Sequence, residues 1–208
     1  GMPNVPTFES LSRMMEPEHL WPQSDAWGQH DYTLKGAQGG ESFNNIMEMR
    51  YGKPQSAEQF TKWAQWLNYD GYRAMYESSQ QERLGLLIWM SHACWPSMVW
   101  CTYDYYFEPT AAYFGVKKAC EPLHIQYNPV KKVAEVVNFA GGAKNGLVAK
   151  AQVFDMYGKL IKEESKEVNV AEDQTLDAVS VSEPDEEVYY IKLTLEQNNQ
   201  VVSDNFYV

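Results

Sequence analysis

Two periods of apolar residues divide the chain. Up to about residue 127 the helical period dominates. Phe8, Leu11 and Met15 recur at helical spacing after Pro6, and that stretch stops at Glu16-Pro17. Phe43, Ile46 and Met47 share one face of a short amphipathic segment, Glu41 to Tyr51, that ends at Gly52-Lys53-Pro54. Ser56 and Gln59 are spaced as a capping box. The stripe Phe60, Trp63, Ala64, Leu67, Ala74 and Met75 then predicts a helix running to about Ser79. Leu86 to Met90 is a continuous apolar run after Gly85, the pattern of a strand buried on both faces. Pro109 opens a further helix, Thr110 to Ala119, with Lys117 and Lys118 in its last turn and Pro122 beyond.

After Tyr127-Asn128-Pro129 the period falls to two. The segments KVAEVVNF, LVAKAQVFDM, KLIKEESKEV, EVYYIKLTLE and QVVSDNFYV alternate apolar and polar positions, separated by AGGAKNG, Tyr157-Gly158 and Asn198-Asn199. Short alternating strands with turn signals predict an immunoglobulin-like β-sandwich. The fold class is therefore α/β followed by all-β, with two domains, 1–127 and 128–208.

Composition narrows the function more than the fold. The 208 residues carry a formal net charge of −11 with 17 basic side chains spread thinly, so no basic footprint for a phosphate backbone or an anionic lipid surface is present. Nucleic acid and membrane are excluded as expected partners. No apolar run reaches transmembrane length, and the first residues lack the charged and apolar regions of a signal peptide. Cys94, Cys101 and Cys120 are odd in number and show no zinc-ligand spacing, so they read as buried thiols, and neither a metal nor a cofactor is expected. GGAKNG has the glycine spacing of a phosphate loop, but Leu147 stands where the lysine belongs, which makes it a hairpin turn.

What stands out is the pairing of aromatic rings with carboxylates and histidines on two loops. Trp21, Asp25, Trp27, His30 and Asp31 lie on one, and Trp89, His92, Trp95, Trp100 and Asp104 on the other. Pyranoses offer C–H faces that stack on rings and hydroxyl edges that need polar partners, so the mixture suits a carbohydrate site. Rings filling a core with their polar tips satisfied explain the same composition.

The segment WMSHACWPSMVWCTYDYYFEPTAAYFGVKKACEPLHIQYNP resembles the end of the catalytic barrel in family 2 glycoside hydrolases, in the exo-β-glucosaminidase and β-mannosidase-like branch. GMPNVPTFES and HLWPQSDAWGQHD resemble earlier parts of the same barrel. The resemblance implies the C-terminal part of a (β/α)₈ TIM barrel followed by the sandwich. It implies a retaining exo-β-glycosidase acting on β-linked glucosaminides or mannosides, and less so on galactosides. Trp89, His92 and Trp95, with Trp21 and Asp25, become the substrate-contacting residues, Trp95 as stacking platform and His92 as hydroxyl partner. Trp100, Tyr103, Asp104 and Tyr105 belong to the pocket wall or its scaffold. His92 and Ala93 stand where the family commonly has Asn-Asp. The nucleophile and acid/base of the family motif fall ahead of residue 1, so no catalytic residue is assigned within the chain. The expected partners are a β-linked oligosaccharide and the upstream part of the same enzyme, with self-association of an incomplete barrel. The parent is expected to be periplasmic or secreted. The alternative is a non-catalytic carbohydrate-binding or structural module.

Overall fold

The computed structural model describes residues 2–35, 39–78 and 85–208. Within these the chain forms two compact units, one ending at Lys118 and one running from Ala119 to Val208. Gly1 and Ser79, which the readings above used, lie outside the described residues.

The first unit is helical. Helix α1 (Phe8–Met14) is capped by Thr7, whose hydroxyl accepts from the Ser10 amide. A single 3₁₀ turn, Pro17–His19, and the short α2 (Asp25–Gln29) follow. Helix α3 (Gly40–Tyr51) stops at Gly52, whose φ of +86° only glycine adopts without strain. It buries Phe43 and Met47 but leaves Ile46 exposed, so the apolar stripe is narrower than its spacing implied. Helix α4 (Ala57–Glu77) begins as expected, with Ser56 Oγ accepting from Gln59 N at 3.1 Å. In return Gln59 Oε1 accepts from the amide of Gln55, one residue before the cap. Phe60, Ala64 and Leu67 on α4 pack with Val5, Leu11, Trp27, Tyr32, Phe43, Met47 and Met98 into one core.

The N-terminal segment is held against α4 by two amides. Asn68, fully buried, accepts from Val5 N at 3.1 Å and donates to Pro3 O at 2.7 Å. Gln65 donates to Val5 O and accepts from Ala111 N at the start of α5 (Ala111–Ala119). Helix α5 lies so close to α4 that a Cβ on Gly115 would stand 2.4 Å from Tyr69 O.

The expected buried strand at Leu86–Met90 is not one. Among the described residues it pairs with no strand, and Leu87 is 99% and Trp89 75% exposed. Apolar continuity marks segments that need cover on both faces, but a parallel strand also needs neighbours on both edges. Here the Met90 amide instead donates a hydrogen bond to Trp100 O. The cysteines also divide differently from expectation: Cys101 is buried, whereas Cys94 and Cys120 are exposed.

The second unit is a seven-stranded antiparallel sandwich. One sheet has the order β1-β2-β5, with β1 Leu123–Asn128, β2 Val133–Asn138 and β5 Gln174–Ser180. The other has the order β4-β3-β6-β7, with β3 Lys144–Asp155, β4 Leu160–Val170, β6 Tyr189–Gln197 and β7 Gln200–Tyr207. Ile125, Val136, Leu147, Ala149, Ala151, Val153, Ile191, Leu193 and Leu195 face each other in its core. The first strand begins at Leu123, ahead of the change of period read at residue 128. Strands β1 and β5 escaped the periodicity, because His124 and Gln126, at the polar positions of β1, are buried as well. Asn198 and Asn199, with φ of +52° and +61°, make the two-residue β6–β7 turn that right-twisted strands favour. AGGAKNG is not a hairpin: it carries the chain from β2 in one sheet to β3 in the other. Edge strand β4 contributes only Val168 and Val170 to the interior and exposes the run Lys162–Glu167 to solvent, a charged edge that resists pairing with another chain.

Candidate functional site

The aromatic loop of the first unit is built from short-range hydrogen bonds. Met90 N donates to Trp100 O at 2.8 Å, and Thr102 N and Tyr103 N both donate to Ser91 O, closing residues 90–102 into a loop. A second, tighter turn hangs from Asp104. Its Oδ1 accepts from Tyr106 N at 2.8 Å and Glu108 N at 3.0 Å, and its amide donates to Glu108 O. Phe107 sits at φ +65° in that turn and points its ring to solvent. Tyr106 ties the turn to α1, its hydroxyl donating to Arg13 O while the Arg13 guanidinium lies 3.7 Å from its ring centroid. Asp104 is buried; its Oδ1 serves the backbone as scaffold, while its Oδ2 has no hydrogen-bond partner among the described residues.

Rings are thereby held at the surface by a fixed frame. His92 stacks on Phe107, with centroids 4.3 Å apart and planes at 17°, and its Nε2 lies 3.4 Å from Tyr105 O. Trp95 is 45% exposed and near-parallel to His30, 6.2 Å away. Loop 95–98 is anchored by the same histidine: His30 Nδ1 donates to Pro96 O at 2.7 Å and Met98 N donates to His30 O at 2.8 Å. Met98 O in turn accepts from Asn4 N.

The residues nominated from the sequence therefore fall in separate places. Trp89 lines a groove of about 280 Å³ with Tyr72, Met75, Tyr76, Leu86, Leu87, Ile88 and Trp100. Trp21 packs against Trp27 and Phe60 and lines a different groove, of about 190 Å³, whose rim carries Gln23, Asn44, Glu48 and Lys53. Asp25 is exposed at the first position of α2. Neither groove is lined by His92 or Trp95. His30, named in the sequence only as one of many polar residues on its loop, is the residue that joins the two aromatic loops. No local pattern marks it, because Pro96, which it anchors, is 66 positions away.

Cys101, beneath the loop, is no nucleophile at neutral pH. Burial pushes its thiol up to about 11, the Asp104 charge adds to this, and the Asn4 amide opposes it. Burial likewise raises the Tyr72 and Tyr106 hydroxyls. Among the described residues no group of three or more His, Cys, Asp or Glu side chains is placed to hold a metal ion, and no helix is long and apolar enough to cross a membrane.

Comparison with known proteins supplies the context for this surface. Residues 136–208 match a family model described as the mannosidase Ig/CBM-like domain. An exo-β-D-glucosaminidase of Amycolatopsis orientalis is 32% identical over 165 residues, covering 74% of this chain and 16% of that protein. One from Hypocrea jecorina is 30% identical, covering 98% of this chain and 24% of that protein. The crystal structure of the Amycolatopsis orientalis exo-chitosanase superposes with a TM-score of 0.85 at 27% identity, over 99% of this chain and 26% of that one. The chain spans about a quarter or less of the length of these relatives.

Proposed function

Since the chain belongs to glycoside hydrolase family 2, we propose that it supplies part of the sugar pocket of a retaining exo-β-glycosidase acting on β-linked glucosaminides or mannosides. Residues up to Lys118 then form the C-terminal part of a (β/α)₈ barrel and those from Ala119 onward the sandwich that follows it. The observation that carries this reading is the exposure of Trp89 and Trp95, whose rings a hydrogen-bonded frame holds at the surface in separate places. Exposed rings cost hydrophobic burial, and a frame that fixes them there at that cost suits stacking on a pyranose face. A full barrel takes about 250 residues, so the remaining βα units come from elsewhere in the enzyme. Leu86–Met90 then gains its strand neighbours from those units, and an isolated chain self-associates through that apolar run.

The carboxylate pair that a retaining mechanism needs, about 5–5.5 Å apart, comes from outside residues 1–208 on this reading. The one buried carboxylate of the aromatic loop, Asp104, gives its Oδ1 to two backbone amides. In the assembled enzyme a nucleophile attacks the anomeric carbon from one face while the acid protonates the leaving oxygen on the other. The rings of this chain fix the sugar between them. The parent enzyme works in the periplasm or outside the cell.

Two measurements test this. Titration of the chain with a β-1,4-linked glucosamine disaccharide, followed by NMR, shifts the indole signals of Trp95 and Trp89 and leaves that of buried Trp27 in place. Chromogenic β-glucosaminide, β-mannoside and β-galactoside stay at background turnover with the chain alone. Turnover that a change at Glu9 or Asp25 abolishes refutes the proposal, as does a titration that moves no surface indole.

A further inference from the structure

We propose that Asn145 is a spontaneous modification site of the sandwich, converting to aspartate and isoaspartate at a rate set by two side chains, Asn169 and Gln197. Asn145 and Gly146 are both exposed, at the end of the segment AGGAKNG that carries the chain from β2 to β3. The pairing of β3 with β4 shifts there. Lys144 faces Val170 and Leu147 faces Val168, so Asn145 and Gly146 together stand opposite Asn169. Gly146 sits at φ +65°, which a residue with a side chain adopts only under strain, so the bulge requires glycine at this position.

An asparagine followed by glycine carries its own reaction. With no Cβ to obstruct it, the Gly146 backbone nitrogen gives up its hydrogen and attacks Asn145 Cγ. The C–N bond of the side-chain amide breaks and ammonia leaves, closing a five-membered succinimide. Water then opens that ring at either carbonyl. One route gives aspartate, and the other gives isoaspartate, whose backbone runs through the former side chain. Both add a negative charge, and isoaspartate also lengthens the backbone by one carbon at the head of β3.

The peptide group that must react is held from both sides. Gly146 N donates to Asn169 Oδ1 at 2.8 Å, and Asn145 O accepts from Gln197 Nε2 at 3.0 Å. Asn169 belongs to β4 and Gln197 to β6, so the two neighbours of β3 grip the peptide plane between them. The first bond keeps the hydrogen on the attacking nitrogen, and the second stops the plane from turning toward Cγ. A bulge interrupts the ladder bonds, and the two side-chain amides stand in for them. Attack therefore waits for a local opening in which both bonds break while the sandwich stays folded. Each bond changes the population of that open form by a factor of about two to ten.

The test incubates the whole folded chain at mildly alkaline pH. Peptide mapping by mass spectrometry resolves asparagine, aspartate and isoaspartate at position 145, with Asn145→Gln as the blank, and the same chains in urea supply the unclamped rate. Asn169→Ala speeds conversion of the folded chain about two- to tenfold, Gln197→Ala does the same, and the double variant exceeds either. Asn169→Asp, which keeps an acceptor for Gly146 N, converts as slowly as wild type. In urea all the variants convert alike. Leu193→Ala loosens the sandwich core away from the bulge and leaves the folded rate unchanged. Wild type that converts as fast folded as in urea overturns the proposal, and so does Asn169→Ala that converts no faster than wild type. Acceleration by Leu193→Ala equal to that by Asn169→Ala overturns it too, because conversion then runs through global unfolding and not through the two bonds.

Discussion

Gly115→Ala and Gly71→Ala make the same chemical change in two helices and are expected to have opposite effects. In α5, a Cβ on Gly115 would lie 2.4 Å from Tyr69 O and 3.1 Å from Arg73 N, both backbone atoms of α4. Ordinary carbon contacts begin near 3.5 Å, so the two helices must part by about 1 Å, which also strains the Gln65 bond to Ala111 N. Overpacking of this kind costs typically 1–3 kcal/mol, against about 1 kcal/mol gained because alanine favours helix over glycine. The net expectation is a loss of up to about 2 kcal/mol, toward the upper end because both obstructing atoms are backbone and cannot move aside singly. On α4, a Cβ on Gly71 would meet only Met2 Sδ and Cε, the far end of a flexible side chain, at 2.6 and 3.0 Å. Methionine moves aside at little cost, so Gly71→Ala is neutral or stabilising by up to about 1 kcal/mol. All seven tryptophans lie at or before position 100, so fluorescence-detected urea unfolding reports the first unit alone. Gly115→Ala lowers its midpoint and Gly71→Ala does not. A Gly115→Ala chain as stable as wild type refutes the close approach of α4 and α5.

Cys101 makes the first unit sensitive to alkali. Its folded value, about 11, lies above the ordinary 9.0, so the folded state holds the proton longer. The stabilisation is complete below pH 9 and is lost as pH rises through 11, about 1.4 kcal/mol of it by pH 10. The stability gap between wild type and Cys101→Ala, measured by urea unfolding at pH 8 and pH 10, therefore narrows by that amount. Asn68→Ala strands the buried Val5 amide and Pro3 carbonyl and costs about 2–4 kcal/mol, read as a lower thermal midpoint with the N-terminal segment open to proteolysis. Leu193→Ala, at the centre of the sandwich, costs about 2–5 kcal/mol in the β-sheet circular dichroism transition while the tryptophan transition stays where it was.

Local chemistry was legible in the sequence and long-range pairing was not. The Ser56 cap, the glycine stop at Gly52 and the Asn198-Asn199 turn are decided within four or five residues, and each stands where the pattern put it. The run Leu86–Met90 failed as a strand because hydrophobicity states a need for cover and pairing supplies it. β1 was hidden because His124 and Gln126, polar by type, are buried by their surroundings. At the site, the sequence singled out the rings Trp89, His92 and Trp95 by composition and resemblance. Nothing in it told Trp21, half-buried against Phe60, from Trp95 at the surface, since the difference lies in packing between segments far apart in the chain. For the same reason His30 went unnominated.

Strand β4 carries an implication for how this sandwich varies among its relatives. From Leu160 to Glu167 no side chain is buried, and the segment contributes backbone bonds to β3 on one edge and charge to solvent on the other. Substitutions there that keep a strand-forming, charged sequence meet almost no packing constraint, so it is free to drift. β3 and β6 present Leu147, Ala149, Ala151, Leu193 and Leu195 to one shared interior and change only in compensated pairs. An alignment of related sandwiches should therefore show its fastest-evolving strand at β4 and its slowest at the β3–β6 ladder, a divergence gradient running across a single sheet.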